Sequence, residues 1–175
     1  MTLLKLISIP LFFYLQVFTT SNLGDKDKVT YAQPIKNYTY KVIEIKDGDT
    51  FVVLYNNTKL VIRLAHIDCP EKKQPFYVKA KQFAAQLCFG KKVTLIHNNN
   101  YDRNKRLIAE VVIAENNLNI NKALVKNGLA WHFKKYSSSI EYATLETEAR
   151  NKKIGLWSTQ NAIAPWNWRK NKYKQ

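Results

Sequence analysis

Cysteine is scarce in this 175-residue chain, which has only Cys69 and Cys88. Two cysteines exclude a disulfide-dense miniprotein. Neither stands in a Cys-x-x-Cys or Cys/His spacing, so no zinc site is expected. His66, His97 and His132 are far apart in sequence and form no ligand motif. Acid is scarce as well: 13 Asp and Glu stand against 28 Lys and Arg, a formal net charge of +15. That balance favours polyanionic partners, nucleic acid ahead of an acidic membrane surface; the blander alternative is a basic surface that serves solubility. The basic residues form no amphipathic helical stripe, which weighs against a membrane-surface protein. No internal repeat or low-complexity block is present. What the chain does have, 46% hydrophobic residues and 23% charged, suits one globular domain with a real core and excludes disorder throughout.

Residues 1–21 have the pattern of a secretory signal. Lys5 supplies a positive start, Leu6 to Phe18 an apolar stretch, and Thr19, Thr20 and Ser21 a cleavage region of small residues. Ser8, Pro10 and Gln16 interrupt the apolar stretch, which falls short of the ~20 residues a transmembrane helix needs. Left uncleaved, the same segment would be a tether. Residues 22–37 are polar and without periodicity, a linker. Removing residues 1–21 takes one Lys and no acid, leaving +14. Export, to the periplasm or outside the cell, places the protein in an oxidising, calcium-containing setting. One Cys69–Cys88 bridge is then open to the chain, but two free or buried thiols are expected.

Strands come first and helices later. Tyr38–Ile45, Thr50–Tyr55 and Lys59–Leu64 are rich in β-branched residues and read as strands, with Asn56-Asn57 as a hairpin turn. Phe76 to Phe89 places Phe76, Ala80, Phe83, Ala84 and Leu87 on one helical face, and Gly90 stops it. Val93–His97 and Leu107–Ile113 are further strands. Leu118–Asn127 and Ile140–Lys153 are helices closed by Gly128 and Gly155. The fold class is α+β, mainly β: five short strands and about three helices suggest a small barrel, for which the OB type is one solution.

Three stretches carry chemistry. In Asp47-Gly48-Asp49-Thr50 two carboxylates flank a glycine; they offer hard oxygens to a cation, or form a plain turn. An EF-hand is excluded, because a loop begun at Asp47 has Val52 at position six and Thr58 at position twelve. Arg63 lies among Leu60, Val61, Ile62 and Leu64, so its guanidinium needs an anion, either a phosphate or a structural Asp. Asp68 and Glu71 follow, bracketing Pro70. Asp102-Arg103-Asn104-Lys105-Arg106 reads as a phosphate clamp or as a solvated turn. Beyond residue 158, a basic aromatic tail carries Trp166, Trp168, Arg169, Lys170, Lys172 and Lys174, which either stack bases and hold phosphates or cap the core and end in solvent.

Asp-Gly-Asp-Thr, Arg-Leu-x-x-Ile-Asp-x-Pro-Glu, Asp-x-x-x-Arg and Ala-Leu-Val-x-x-Gly-Leu-Ala (Ala123–Ala130), in this order over about Tyr40 to Ser158, resemble the thermonuclease, or staphylococcal nuclease, family. The resemblance implies an OB-fold nuclease domain over residues 38–158, hydrolysing DNA and RNA with calcium. It implies that Asp49 and Asp68 bind Ca2+, with the backbone carbonyl of Cys69, where the family has threonine, and with Asp47 in support. It makes Glu71 the residue that positions or deprotonates water, and Arg63 and Arg106 the arginines on the phosphate. Asn104 and Lys105 replace the family's tyrosine and glycine before the second arginine. Trp131, His132 and Phe133 stand where smaller apolar residues are usual. Arg103, Lys105 and Tyr136 are candidate substrate contacts. The expected protein is a secreted, monomeric nuclease without a stable membrane partner. The rival is an OB module that binds nucleic acid without cutting it.

Overall fold

The structure, a computed structural model, describes residues 38–172; the signal and linker segments expected over 1–37 lie outside them. Five strands close a barrel in the order β1 (Tyr40–Asp47), β2 (Thr50–Tyr55), β3 (Thr58–Leu64), β6 (Leu107–Ile113), β5 (Lys92–Ile96). All neighbours are antiparallel except β3 and β6, which run parallel. A mainly β barrel of this kind, carrying helices, fits the expected OB fold. The β2–β3 hairpin turns through Asn56 and Asn57 at φ 46° and 61°, the positive-φ pair of a two-residue hairpin turn. Strand β1 starts and ends two residues later than the sequence suggests, and its register against β2 shifts twice, between Val42 and Glu44 and between Ile45 and Asp47. Such bulges bend a strand and help a sheet close. On β6, Leu107, Ala109, Val111 and Ile113 point into the core while the residues between them are only half-buried, the period-two pattern of one wet face.

Helix α1 (Tyr77–Cys88) buries Ala80, Ala84 and Cys88 and ends before Gly90, whose φ is +76°. Helix α2 (Ile120–Lys126) is capped by Asn119, whose side chain accepts the Lys122 N–H. Its buried Asn121 accepts the Val111 N–H and donates to the carbonyls of Ala65 and Ala109, tying the helix to β6 and to the turn after β3. Helix α3 (Ile140–Asn151) is capped by Ser139 and leads to a 3₁₀ turn, Gly155–Ser158. Gly128 and Gly155 cross back to back at φ +63° and +58°: a Cβ on Gly128 would meet the Ile154 carbonyl at 2.3 Å, and one on Gly155 the Gly128 carbonyl at 2.3 Å. Both cysteines are free and buried, as expected.

Two features go beyond the sequence pattern. The two-residue strands β4 (Ile67–Asp68) and β7 (Trp131–His132) pair outside the barrel, too short for any periodicity to reveal. A fourth helix, α4 (Pro165–Lys172), stands where a tail without helix was expected. Pro165 occupies its first position, where a fixed φ and a missing N–H suit a helix start. Eight mostly polar residues are too few for an autonomous helix, so packing holds it. The Trp166 ring stacks on Phe133 at 5.2 Å and meets Trp131 edge-on at 5.6 Å. Among the described residues, no helix is long and apolar enough to cross a membrane.

Candidate active site

The β1–β2 turn brings Asp49 against the loop after β4. Its apex is Gly48, where a Cβ would stand 3.0 Å from both Cys69 Sγ and Ala80 Cβ, so no larger residue lets the turn lie this close. Asp49 is buried; one oxygen accepts the Cys69 N–H at 2.8 Å and the other the Thr50 hydroxyl at 3.1 Å. Strand register then sets Arg63 at the end of β3, opposite Thr50 on one side and Ile108 on the other. Its Nη1 donates to the carbonyls of Leu64 (2.7 Å) and Ile67 (2.9 Å), which shapes the turn into β4. Its Nη2 reaches Asp68 at 2.7 Å and Asp49 at 3.2 Å. The side chain is 13% exposed. Burial opposes its charge, but Asp49 and Asp68 more than offset that, and the guanidinium pKa is raised. Both readings of Arg63 thus meet at one place: it makes a structural Asp pair, and that pair lies at the candidate site.

Asp68 is 3% exposed. Burial pushes its carboxyl above the usual carboxylate range, and the guanidiniums of Arg169 and Arg63 offset this only in part. Arg106 joins from the loop before β6. Its Nε and Nη2 fork onto Asp102 at 2.7 and 2.6 Å, and its Nη1 donates to Thr50 Oγ at 3.2 Å. Asp102 also accepts the backbone N–H groups of Asn104 and Arg106. Its partial burial works against the charge, but the hydrogen bonds from Arg106 win and hold it below its ordinary value. The run at 102–106 is therefore an ordered turn that presents Arg106.

Glu71 follows in the loop after β4, and Gln74 fixes that loop. The Gln74 side chain accepts the Glu71 N–H at 2.9 Å and donates to the Ile163 carbonyl at 2.6 Å. The unexpected member is Arg169 on α4. It donates to Asp68 Oδ2 at 2.8 Å and to Glu71 Oε1. A continuous path of contacts results: Arg106, Thr50, Asp49, Arg63, Asp68, Arg169, Glu71. The sequence marked Arg169 only as one of several basic residues beside tryptophans. Its contact spans about a hundred residues, which local pattern does not reveal.

Other candidates lie apart from this path. Asp47 accepts a 2.9 Å hydrogen bond from the Tyr77 hydroxyl and so holds the start of α1. Cys69 is buried, and what it gives Asp49 is its N–H rather than its carbonyl. Arg103 and Lys105 are exposed in the 102–106 turn. Tyr136 is 71% exposed, with its ring edge-on to Phe133 at 4.9 Å.

The donors converging near Arg63 are all oxygens, the chemistry a hard divalent cation prefers. Asp49, Asp68 and the Cys69 carbonyl are the residues able to hold one, although no group of three or more His, Cys, Asp or Glu converges among the described residues. Arg169 engages one oxygen each of Asp68 and Glu71, Oδ2 and Oε1. With two carboxylates, a third beside them and three guanidiniums, the arrangement suits chemistry on an anionic ester: it can bind a phosphate, orient water and accept a proton.

Comparison with known proteins points the same way. Residues 61–159 match the family described as Staphylococcal nuclease homologue. A Haemophilus influenzae protein named "Uncharacterized endonuclease" is 39% identical over 133 residues, covering 75% of this chain and 73% of its own. An Escherichia coli protein of the same name is 36% identical over 132 residues, 75% of this chain and 85% of its own. The "Micrococcal nuclease" of Shigella flexneri is 37% identical over 139 residues, 74% of this chain and 79% of its own.

Proposed function

Since the chain belongs to the staphylococcal nuclease family and is a nuclease, a hydrolase acting on nucleic acid, we propose that it is an exported, calcium-dependent enzyme that cuts phosphodiester bonds in both DNA and RNA. The observation that carries this is the path from Arg106 through Thr50, Asp49, Arg63 and Asp68, with Arg169 bridging Asp68 to Glu71. Asp49 and Asp68, with the Cys69 carbonyl, are the residues that would hold calcium, and the ion would supply Lewis-acid charge at a phosphodiester. Arg63 spends both Nη atoms on the protein, so its first task is to align the two aspartates. Arg106, 26% exposed, presents its guanidinium to a phosphate and offsets the charge that develops there. Glu71 accepts a proton from the attacking water, and no covalent intermediate is needed. The protein works as a monomer, and after signal cleavage it has no membrane partner.

The rival reading, a binder without catalysis, draws on one observation: Arg169 is paired with Glu71 and occupies an oxygen that a water would need. The purified protein incubated with plasmid DNA and with RNA, in calcium, magnesium or chelator, separates the two. Cleavage of both substrates in calcium and none in chelator is expected; intact substrates in calcium would leave the binding module.

A further inference from the structure

Arg169 lies beyond the family match, which ends at residue 159. Yet it contacts two site carboxylates, donating to Asp68 Oδ2 from Nη2 and to Glu71 Oε1 from Nη1. Those bonds raise its own guanidinium pKa, winning over the burial that works the other way. The side chain that makes them remains 38% exposed. Its helix has other anchors: Trp166 stacks on Phe133 and meets Trp131 edge-on, and Gln74 bonds the Ile163 carbonyl just before the helix. The contacts of α4 with the rest of the fold do not depend on Arg169 alone.

A guanidinium and a divalent cation seek the same thing, carboxylate oxygens in a poorly hydrated place. Arg63 holds Asp68 Oδ1 at 2.7 Å, and Arg169 takes Oδ2 at 2.8 Å with a longer 3.5 Å contact to Oδ1. We propose that Arg169 is an internal cation that competes with the metal for Asp68 and holds Glu71 out of use, so that metal binding and Arg169 docking exclude each other. This rests on the calcium reading given above. In the docked state Glu71 is neutralised and the Asp68 oxygen is capped. Entry of the metal exchanges one positive partner for another at Asp68 and frees the Arg169 side chain. Apparent metal affinity is then the intrinsic affinity multiplied by the fraction of molecules with Arg169 undocked. Two charge-assisted bonds in a partly buried place make that fraction small, of order one in ten to one in a hundred.

Calorimetric titration of calcium into wild type, Arg169→Gln and Arg169→Lys tests this, with thermal melting in chelator and in calcium beside it. Arg169→Gln is expected to bind calcium about tenfold to a hundredfold more tightly. Arg169→Lys, which keeps charge but loses the fork, should fall between. In chelator Arg169→Gln should melt below wild type, and calcium should raise its melting temperature by more. A residue that merely stabilises the fold would leave calcium affinity unchanged or lower it on removal. Equal or weaker binding by Arg169→Gln, with calcium bound by wild type, overturns the competition and leaves the calcium reading standing. No calcium bound by any of the three proteins overturns the calcium reading itself, and the competition with it.

Discussion

Arg63 shows how one residue serves fold and site together. Its two Nη atoms satisfy two carbonyls and two aspartates in a place almost closed to water. A lysine there keeps one charge but not the fork, and leaves at least one acceptor unpaired. Arg63→Lys should therefore lower turnover and also cost about 2–4 kcal/mol of stability, read by urea unfolding. Wild-type activity together with wild-type stability would contradict both roles. Cys69 and Cys88 offer a second check. Burial, with Asp49 nearby, pushes the Cys69 thiol well up, and burial pushes Cys88 up to about 12. At pH 8 both stay protonated and enclosed, so alkylation by iodoacetamide should be slow in the native protein and fast in denaturant. Rapid labelling of the folded protein would show that the thiols are not enclosed.

At the level of elements, sequence and structure agree where patterns are long. The alternation of β6 and the three-and-four spacing of α1 announce themselves because one face of each is buried along its whole length. The β4–β7 pair has only two residues a side, and α4 owes its place to Trp166 and Arg169, whose partners are distant in the chain. The carboxylates and the first two arginines were legible because their motifs are compact; Arg169 was not, because its meaning lies in what it touches. Asn121 is the joint between α2, β6 and the turn that leads to Asp68. Asn121→Leu removes the partner of the Val111 N–H and of the Ala65 carbonyl, while the Ala109 carbonyl keeps the Ala65 N–H, and should cost about 3 kcal/mol by denaturant unfolding. The β7 residue His132 makes the acid side testable. Burial is the main cause holding its pKa below the ordinary value, with Lys134 and His66 adding to it and Glu146 opposing. The unfolded chain then takes up a proton that the folded one refuses, so stability should fall as pH drops below about 6.5. His132→Gln should flatten that part of the stability–pH curve measured by urea titration. An unchanged slope would show that other groups set it.

At the level of the whole molecule, the charge of +15 acts at long range. A basic surface draws a polyanion in and releases its counterions, so affinity should fall steeply with salt. For a Glu71→Gln protein on single-stranded DNA, about four or more phosphate contacts give a log–log slope of about −3 or steeper. A flat dependence would show that the positive surface is not where nucleic acid docks. The same variant decides the central claim. Glutamine keeps the shape of Glu71 and cannot take a proton from water, whereas the surface that binds DNA is untouched. The measurement is turnover on DNA in saturating calcium by wild type and Glu71→Gln, with oligonucleotide affinity for each. Wild type should cut and Glu71→Gln should be slower by about 10²–10⁴ at nearly equal affinity. Equal rates for the two proteins would contradict the assignment of Glu71 as the base on which hydrolysis at this site turns.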